Sequence, residues 1–237
     1  DTRLIEGEIS KVYEYMVENQ SVGMCGPLLV YHDMRPQRSF AYVPTLLMEI
    51  IPKSILEIVY PKKYSVKKHS ACMSQTNASG NLCHANKNAF EVESLIGAAI
   101  MVQKAAFDKL GGFDERFFFF LEETDLCVRM RINGKIVVFA PDAKIIHHQG
   151  KTVGKNWVRG RIEYNISLYK FIEKHHGVLY CTAFMCVRFL KSFFVSALLS
   201  VLPFMLADRG IRKRYGYYVR LFLWHLKGCP DKEGLRA

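Results

Sequence analysis

The sequence has no C-x-x-C pair, no internal repeat, and no uncharged apolar run as long as the roughly 20 residues that cross a bilayer. Its seven cysteines (25, 72, 83, 127, 181, 186 and 229) are odd in number and scattered. That fits free thiols in a reducing compartment better than a disulfide framework. Cys72, Cys83 and His84 have no fourth ligand at a zinc-site spacing. Glycine (16) and proline (8) are too sparse for a collagen-like or low-complexity chain. The sequons at Asn77 and Asn165 are short enough to arise by chance. The chain begins at Asp1 without an initiator Met or a signal peptide, and an N-terminal part is expected to be absent.

Acidic residues are scarce in one region only. Residues 1–150 carry 17 Lys/Arg and 17 Asp/Glu, whereas residues 151–237 carry 16 against 5, so the whole net charge of +11 sits in the last third. With 50% hydrophobic residues the chain is far too apolar for disorder. Its basic third is also its most apolar, a pairing that fits an anionic membrane surface better than a nucleic-acid groove.

What is present alternates helical and extended patterns, which indicates an α/β layer architecture. Apolar spacing predicts a helix over 5–19, a buried strand kinked at Gly26-Pro27 over 22–31, and helical character over 46–60 interrupted at Pro52. Residues 61–90 read as a long polar surface loop. A turn and strand over 97–102 lead to a short helix ending at Leu110 and a tight turn at Gly111-Gly112. After the aromatic run Phe117–Leu121, a helix opens on acids at Glu122 and stops at Gly134. Two short strands, 135–140 and 144–148, are expected around a Pro141-Asp142-Ala143 turn. A helix over 157–176 then precedes the apolar segment 177–207, where Arg188 and Lys191 are the interruptions and Ser192–Ala207 is a 16-residue uncharged run. Arg188, Ser192, Ser196 and Ser200 form one weakly polar stripe. Two cations without a nearby acid argue against burial of this helix in the protein core, and its length favours lying in the membrane interface over crossing it. Residues 211–227 interleave Arg/Lys with Tyr, Phe and Trp, the chemistry of the headgroup layer.

Glu122, Glu123 and Asp125 crowd one helix start. Taken alone, acids there complement the helix dipole and commonly do nothing else. Their order relative to other motifs changes that reading. Gly97-Ala98-Ala99, Gly111-Gly112-Phe113-Asp114-Glu115-Arg116-Phe117-Phe118, Glu122-Glu123-Thr124-Asp125, Asn133-Gly134, Pro141-Asp142-Ala143 and His147-His148 together resemble the C-terminal half of the inverting family 2 glycosyltransferases, rhamnosyltransferase-like branch. Gly26-Pro27-Leu28, Asp33, Gln37-Arg38-Ser39 and Pro44 extend the resemblance upstream, so that it covers about residues 1–150.

The resemblance implies a partial GT-A (Rossmann-like) α/β domain over 1–155, with its first nucleotide-binding strands before Asp1. A helical, basic, membrane-associating region would follow over 156–237. It implies transfer of a sugar, with rhamnose as a candidate, from a nucleotide-diphosphate donor to a lipid-linked or cell-surface glycan acceptor, with inversion, at the cytoplasmic face of the membrane. In such a displacement a carboxylate takes the acceptor proton and a cation steadies the leaving diphosphate. By resemblance Glu123 is the base. Glu122 and Asp125 are its partners, expected to raise its pKa by repulsion. By the same resemblance Gly97, Ala98, Gln37 and Phe118 would contact substrate, although Phe117–Phe120 most simply line a hydrophobic core, and Asp1 with His147 (preferred over His148) would hold Mg²⁺ or Mn²⁺. The family more often has Asp where this chain has Glu123. Arg116 and Arg129 read as ion-pair partners. A non-catalytic membrane-surface module is the alternative. Nucleic-acid binding through Lys62, Lys63, Lys67 and Lys68 lacks any recognised signature.

Overall fold

The computed structural model describes residues 2–60, 88–148, 156–201 and 207–235. The lysines at 62–68, the Cys72/Cys83/His84 group, Asn77 and Asp1 lie outside the described residues. The chain divides into two compact units. The first comprises Asp1–Val43, Lys53–Glu115 and Glu122–Lys151; the second comprises Pro44–Pro52, Arg116–Leu121 and Thr152–Ala237.

The first unit is a mixed α/β layer built on two strands. Strand β2 (Val22–Val30) is buried at all nine positions, as its near-continuous apolar sequence requires of a strand covered on both faces. It runs parallel to β7 (Ile136–His147). On the far side of β7, β1 (Thr2–Leu4) pairs with its C-terminal end and β4 (Phe90–Glu91) with its N-terminal end, both antiparallel. Strand β6 (Met101–Val102) closes the other edge against β2. A separate ribbon joins β3 (Phe40–Ala41) to β5 (Ser94–Leu95).

Helix α1 (Glu8–Glu18) covers one face of the sheet over Val12, Val22, Cys25, Val138 and Ala140. The other face buries Met24, Leu28, Leu95, Leu126, Met130, Val137 and Phe139 beneath α5 (Glu122–Ile132). Gly26 is closely packed: a Cβ there would lie 2.6 Å from Leu95 Cδ2, so the buried Leu95 side chain would have to move. Short helices α3 (Lys53–Val59) and α4 (Lys104–Lys109) complete this unit.

Strand β7 corrects the expectation of two strands around a turn. The pairing passes from Pro27↔Ala140 directly to Leu28↔Lys144, so Pro141-Asp142-Ala143 is a bulge inside one continuous strand. The Lys144 N–H beside this bulge donates to Glu8 Oε2 at 2.7 Å. Local turn residues were overridden by pairing along the whole length of β2.

The second unit is helical. It contains α2 (Leu46–Ile50), α6 (Trp157–His176), α7 (Val178–Val201), α8 (Arg209–Leu226) and a 3-10 turn at Asp231–Glu233. Gly177, at φ 85°, makes the break between α6 and α7. Ile162, Phe171, Ile172, Phe184 and Trp224 are among its most buried side chains, and Tyr169 stacks on Trp224 at 5.7 Å. Asn165 is fully buried and donates to Arg161 O and Tyr217 Oη, so its sequon is inert.

Helix α7 is patterned in the opposite sense to a soluble helix. Its buried residues are Cys181, Phe184, Arg188 and Ser192, whereas Leu179, Phe194, Leu198 and Val201 are 60–89% exposed. Arg188 and Ser192 of the polar stripe therefore face protein, and among the described residues nothing covers the apolar face. The two cations do have an acid: Glu49, from α2, lies 2.6 Å from Arg188 and 3.6 Å from Lys191. Because Glu49 is distant from both in sequence, local spacing does not show it, and the expectation of two cations without an acid is corrected. Counted as a helix, α7 has 24 residues and is long and apolar enough to cross a membrane by length and composition.

Candidate active site

Helix α5 begins at the acidic cluster. Its four first-turn N–H groups need acceptors, and its dipole favours carboxylates there. The three acids divide this work unequally. Asp125 is fully buried and accepts from Arg129 Nε at 2.7 Å, one turn along the same helix. The same guanidinium donates to the carbonyls of Leu110 and Gly112 at 2.9 and 2.7 Å. Asp125 thus anchors the Gly111-Gly112 turn, where both glycines have positive φ, to the helix. Arg129 is an ion-pair partner as expected, and the acid it pairs with is Asp125.

Glu123 lies in a different environment. Burial pushes its carboxyl up to about 7, with the charge of Glu122 adding to the rise. Backbone N–H groups of Glu123, Gly97 and Thr124 oppose it. Glu122 is also raised by burial. One oxygen of each, Oε2, is buried without a hydrogen-bond partner among the described residues. Repulsion from Glu122 raises Glu123 as expected, but desolvation leads; Asp125 is engaged by Arg129. A buried, half-satisfied carboxyl that titrates near neutrality is able to accept a proton from a bound hydroxyl.

Gly97 sits directly over this group. A Cβ there would meet Glu123 Cδ at 3.4 Å, an ordinary contact. Gly97 is exposed and Ala98 half-buried, both in the turn after β5. That turn is fixed from below by the buried hydroxyl pair Ser94 Oγ–Thr124 Oγ1 at 2.9 Å. No sequence signal distinguished Ser94 from any other serine.

Gln37 and His147 form the second pairing. Gln37 Nε2 donates to the His147 carbonyl at 2.7 Å, which orients the amide so that Oε1 faces His147 Nδ1 at 3.0 Å. The imidazole must then donate from Nδ1, and Nε2 carries the lone pair. This is the arrangement by which an outer carbonyl fixes a metal-binding histidine. Burial lowers the His147 pKa, which favours the neutral ring. At 4% exposure Gln37 acts on His147 rather than presenting its amide to solvent.

The two pairings share neighbouring backbone. Ser39 O accepts from Ile96 N–H at 3.0 Å, one residue before Gly97, while Ser39 Oγ accepts from Leu29 N–H at 2.8 Å. Among the described residues no three His, Cys, Asp or Glu side chains converge as a metal site. His147 fits as one ligand, and Asp1, its expected companion, lies outside the described residues. Phe118 belongs to the second unit and is 56% exposed, while its neighbour Phe117 is buried.

No family model matches the chain. Over 83 residues, 35% of this chain, it is 33% identical to the N-acetylglucosaminyl-diphospho-decaprenol L-rhamnosyltransferase of Mycobacterium tuberculosis (strain CDC 1551 / Oshkosh). The same values hold for the protein of that name from strain ATCC 25618 / H37Rv. The matched stretch spans 27% of the length of these curated relatives. Over that stretch the chain is similar to a glycosyltransferase.

Proposed function

We propose that this chain forms the acceptor-side half of a GT-A glycosyltransferase, over 1–155, followed by a membrane-associating region. It would transfer a sugar, with rhamnose as the candidate, from a nucleotide-diphosphate donor to a lipid-linked or cell-surface glycan acceptor at the cytoplasmic membrane face. The observation that carries the reading is Glu123: a buried carboxyl at a helix start, raised to about 7 and overlain by a glycine turn. The stretch of identity to the mycobacterial L-rhamnosyltransferases supports it.

In this reading Glu123 takes the proton of the acceptor hydroxyl as its oxygen bonds to the anomeric carbon. The bond from that carbon to the diphosphate oxygen breaks, the nucleotide diphosphate leaves, and the configuration inverts. Gly97 and Ala98 leave room for the acceptor beside the carboxyl. His147, held by Gln37, would with Asp1 hold Mg²⁺ or Mn²⁺, which supplies charge neutralisation to the diphosphate when bound.

The test is transfer by a Glu123→Gln variant of the full-length enzyme. A general base contributes roughly 10²–10⁴-fold, so turnover should fall by that factor while donor binding is spared. Retention of more than about a tenth of parental turnover excludes the role.

A further inference from the structure

Within the helical unit, Arg161, Arg188, Lys191, Glu49, Tyr217, Tyr218 and Leu221 line a cavity of about 180 Å³. Three cations face one carboxylate. Glu49 is shared, with Oε1 on Arg188 Nη1 at 2.6 Å and Oε2 3.6 Å from Lys191. Arg188 Nη2 donates to Asn165 Oδ1 at 2.5 Å and lies 3.4 Å from Tyr217 Oη, yet its Nε–H is buried without a partner among the described residues. Arg188 is 8% exposed, so this cation is built into the wall. Arg161 is exposed and its guanidinium is steadied over the Tyr164 and Tyr217 rings, at 5.7 and 5.2 Å. A lining of two arginines and a lysine against one carboxylate, with tyrosines beside them, is cationic in excess and complementary to a phosphoryl group.

The surroundings identify what carries that group. The same α7 that supplies Arg188 and Lys191 on its protein side exposes Leu179, Phe194, Leu198 and Val201 on the other. An acyl or isoprenoid chain requires such a surface, and a soluble phosphate does not. We propose that this cavity binds the phosphoryl head of a membrane amphiphile, whose hydrocarbon follows the apolar face of α7. The binding is independent of whether Glu123 transfers a sugar. The phosphoryl group belongs either to a bilayer phospholipid or to a lipid diphosphate.

The experiment is a titration of the full chain in uncharged maltoside micelles, read by tryptophan fluorescence. Trp157 reports on the site because its ring lies 5.8 Å from Tyr217. Dodecyl phosphate, lysophosphatidylglycerol and farnesyl diphosphate should each give a saturable change, and inorganic phosphate should bind far more weakly. Loss of a charge-assisted contact corresponds to about tenfold in affinity, so Arg161→Gln should weaken binding by roughly that factor and Arg161→Gln with Lys191→Gln by more. Arg161→Lys should recover part of the loss. Both positions are open to solvent, and the single Arg161 variant leaves the Glu49 pairings untouched, so folding does not confuse the result. Preference for farnesyl diphosphate assigns a lipid diphosphate; equal binding of lysophosphatidylglycerol assigns the bilayer. Absence of saturation, equal binding of inorganic phosphate, or unchanged affinity in the double variant overturns the proposal.

Discussion

At the residue scale, one carboxyl is held in a buried site at the expense of stability. The folded state holds Glu123 near 7, against an ordinary value of 4.5. Between those values the native state binds the proton that the unfolded chain has released, so stability falls as pH rises from about 4.5 to 7 and stays low above it. Glu123→Gln removes the titration. We expect the variant to be more stable than the parent at pH 8, by about 1–3 kcal/mol, and no more stable at pH 4. Chemical denaturation at the two pH values measures this; a variant destabilised at both would mean that the carboxylate is well solvated. The parent's transfer rate should rise with pH through about 7 as the base ionises. His147 gives a second residue-level expectation. His147→Ala should weaken divalent-metal dependence more than His148→Ala, and Gln37→Leu should raise the metal requirement about 10–100-fold by releasing the ring. Metal titrations of the three variants decide it, and equal effects at 147 and 148 would remove His147 as the preferred ligand. The acidic run was legible in the sequence, but the division of labour within it was not. That division depends on Arg129, one turn along, and on a glycine 26 residues upstream, which only the folded chain brings into contact.

At the scale of elements, periodicity located most helices and the buried strand, because a continuous apolar run or a three-to-four spacing is set by local burial. Helix α6 occupies 157–176, the bounds read from the sequence. The failures are long-range. Pro141-Asp142-Ala143 has turn chemistry, yet β2 holds its flanks in one strand, and α7 draws its counter-ion from Glu49, which no helical spacing reveals. Phe120 and Leu121 have φ of 70° and 68°, an uncommon left-handed pair of large residues that a propensity scale does not anticipate. The bulge in β7 yields a test of how such irregularity is tolerated. Glu8→Ala strands the Lys144 N–H and should cost about 1–2 kcal/mol, whereas Glu8→Gln retains an acceptor and should cost less. Lys11→Ala removes the exposed partner of Glu8 and should change stability by under about 1 kcal/mol. Urea midpoints of the three variants give the ranking; a Lys11 effect as large as that of Glu8→Ala would show that the ion pair, not the bulge, is what Glu8 stabilises.

At the scale of the whole molecule, charge and apolarity are segregated along the chain. The excess of +11 accompanies a 24-residue helix that exposes Leu179, Phe194, Leu198 and Val201 and turns Arg188 and Ser192 toward protein. At 1.5 Å per residue α7 is about 36 Å long, enough to cross a bilayer. Crossing would carry Arg188, Lys191 and Glu49 to mid-depth. Lying flat instead keeps the charged side at the level of the phosphates and buries the other side in acyl chains, the geometry of an interfacial helix. Each basic residue near an anionic leaflet contributes about 1 kcal/mol, and apolar burial adds to this. Binding to anionic vesicles should therefore weaken as salt rises, with α7 retaining a residual fraction. Neutral vesicles should capture only that residual fraction at any ionic strength. Sedimentation across a salt series separates the possibilities. Salt-independent pelleting that resists alkaline carbonate would mean that α7 spans the bilayer, and no binding even at low salt would mean that its apolar face is covered by protein.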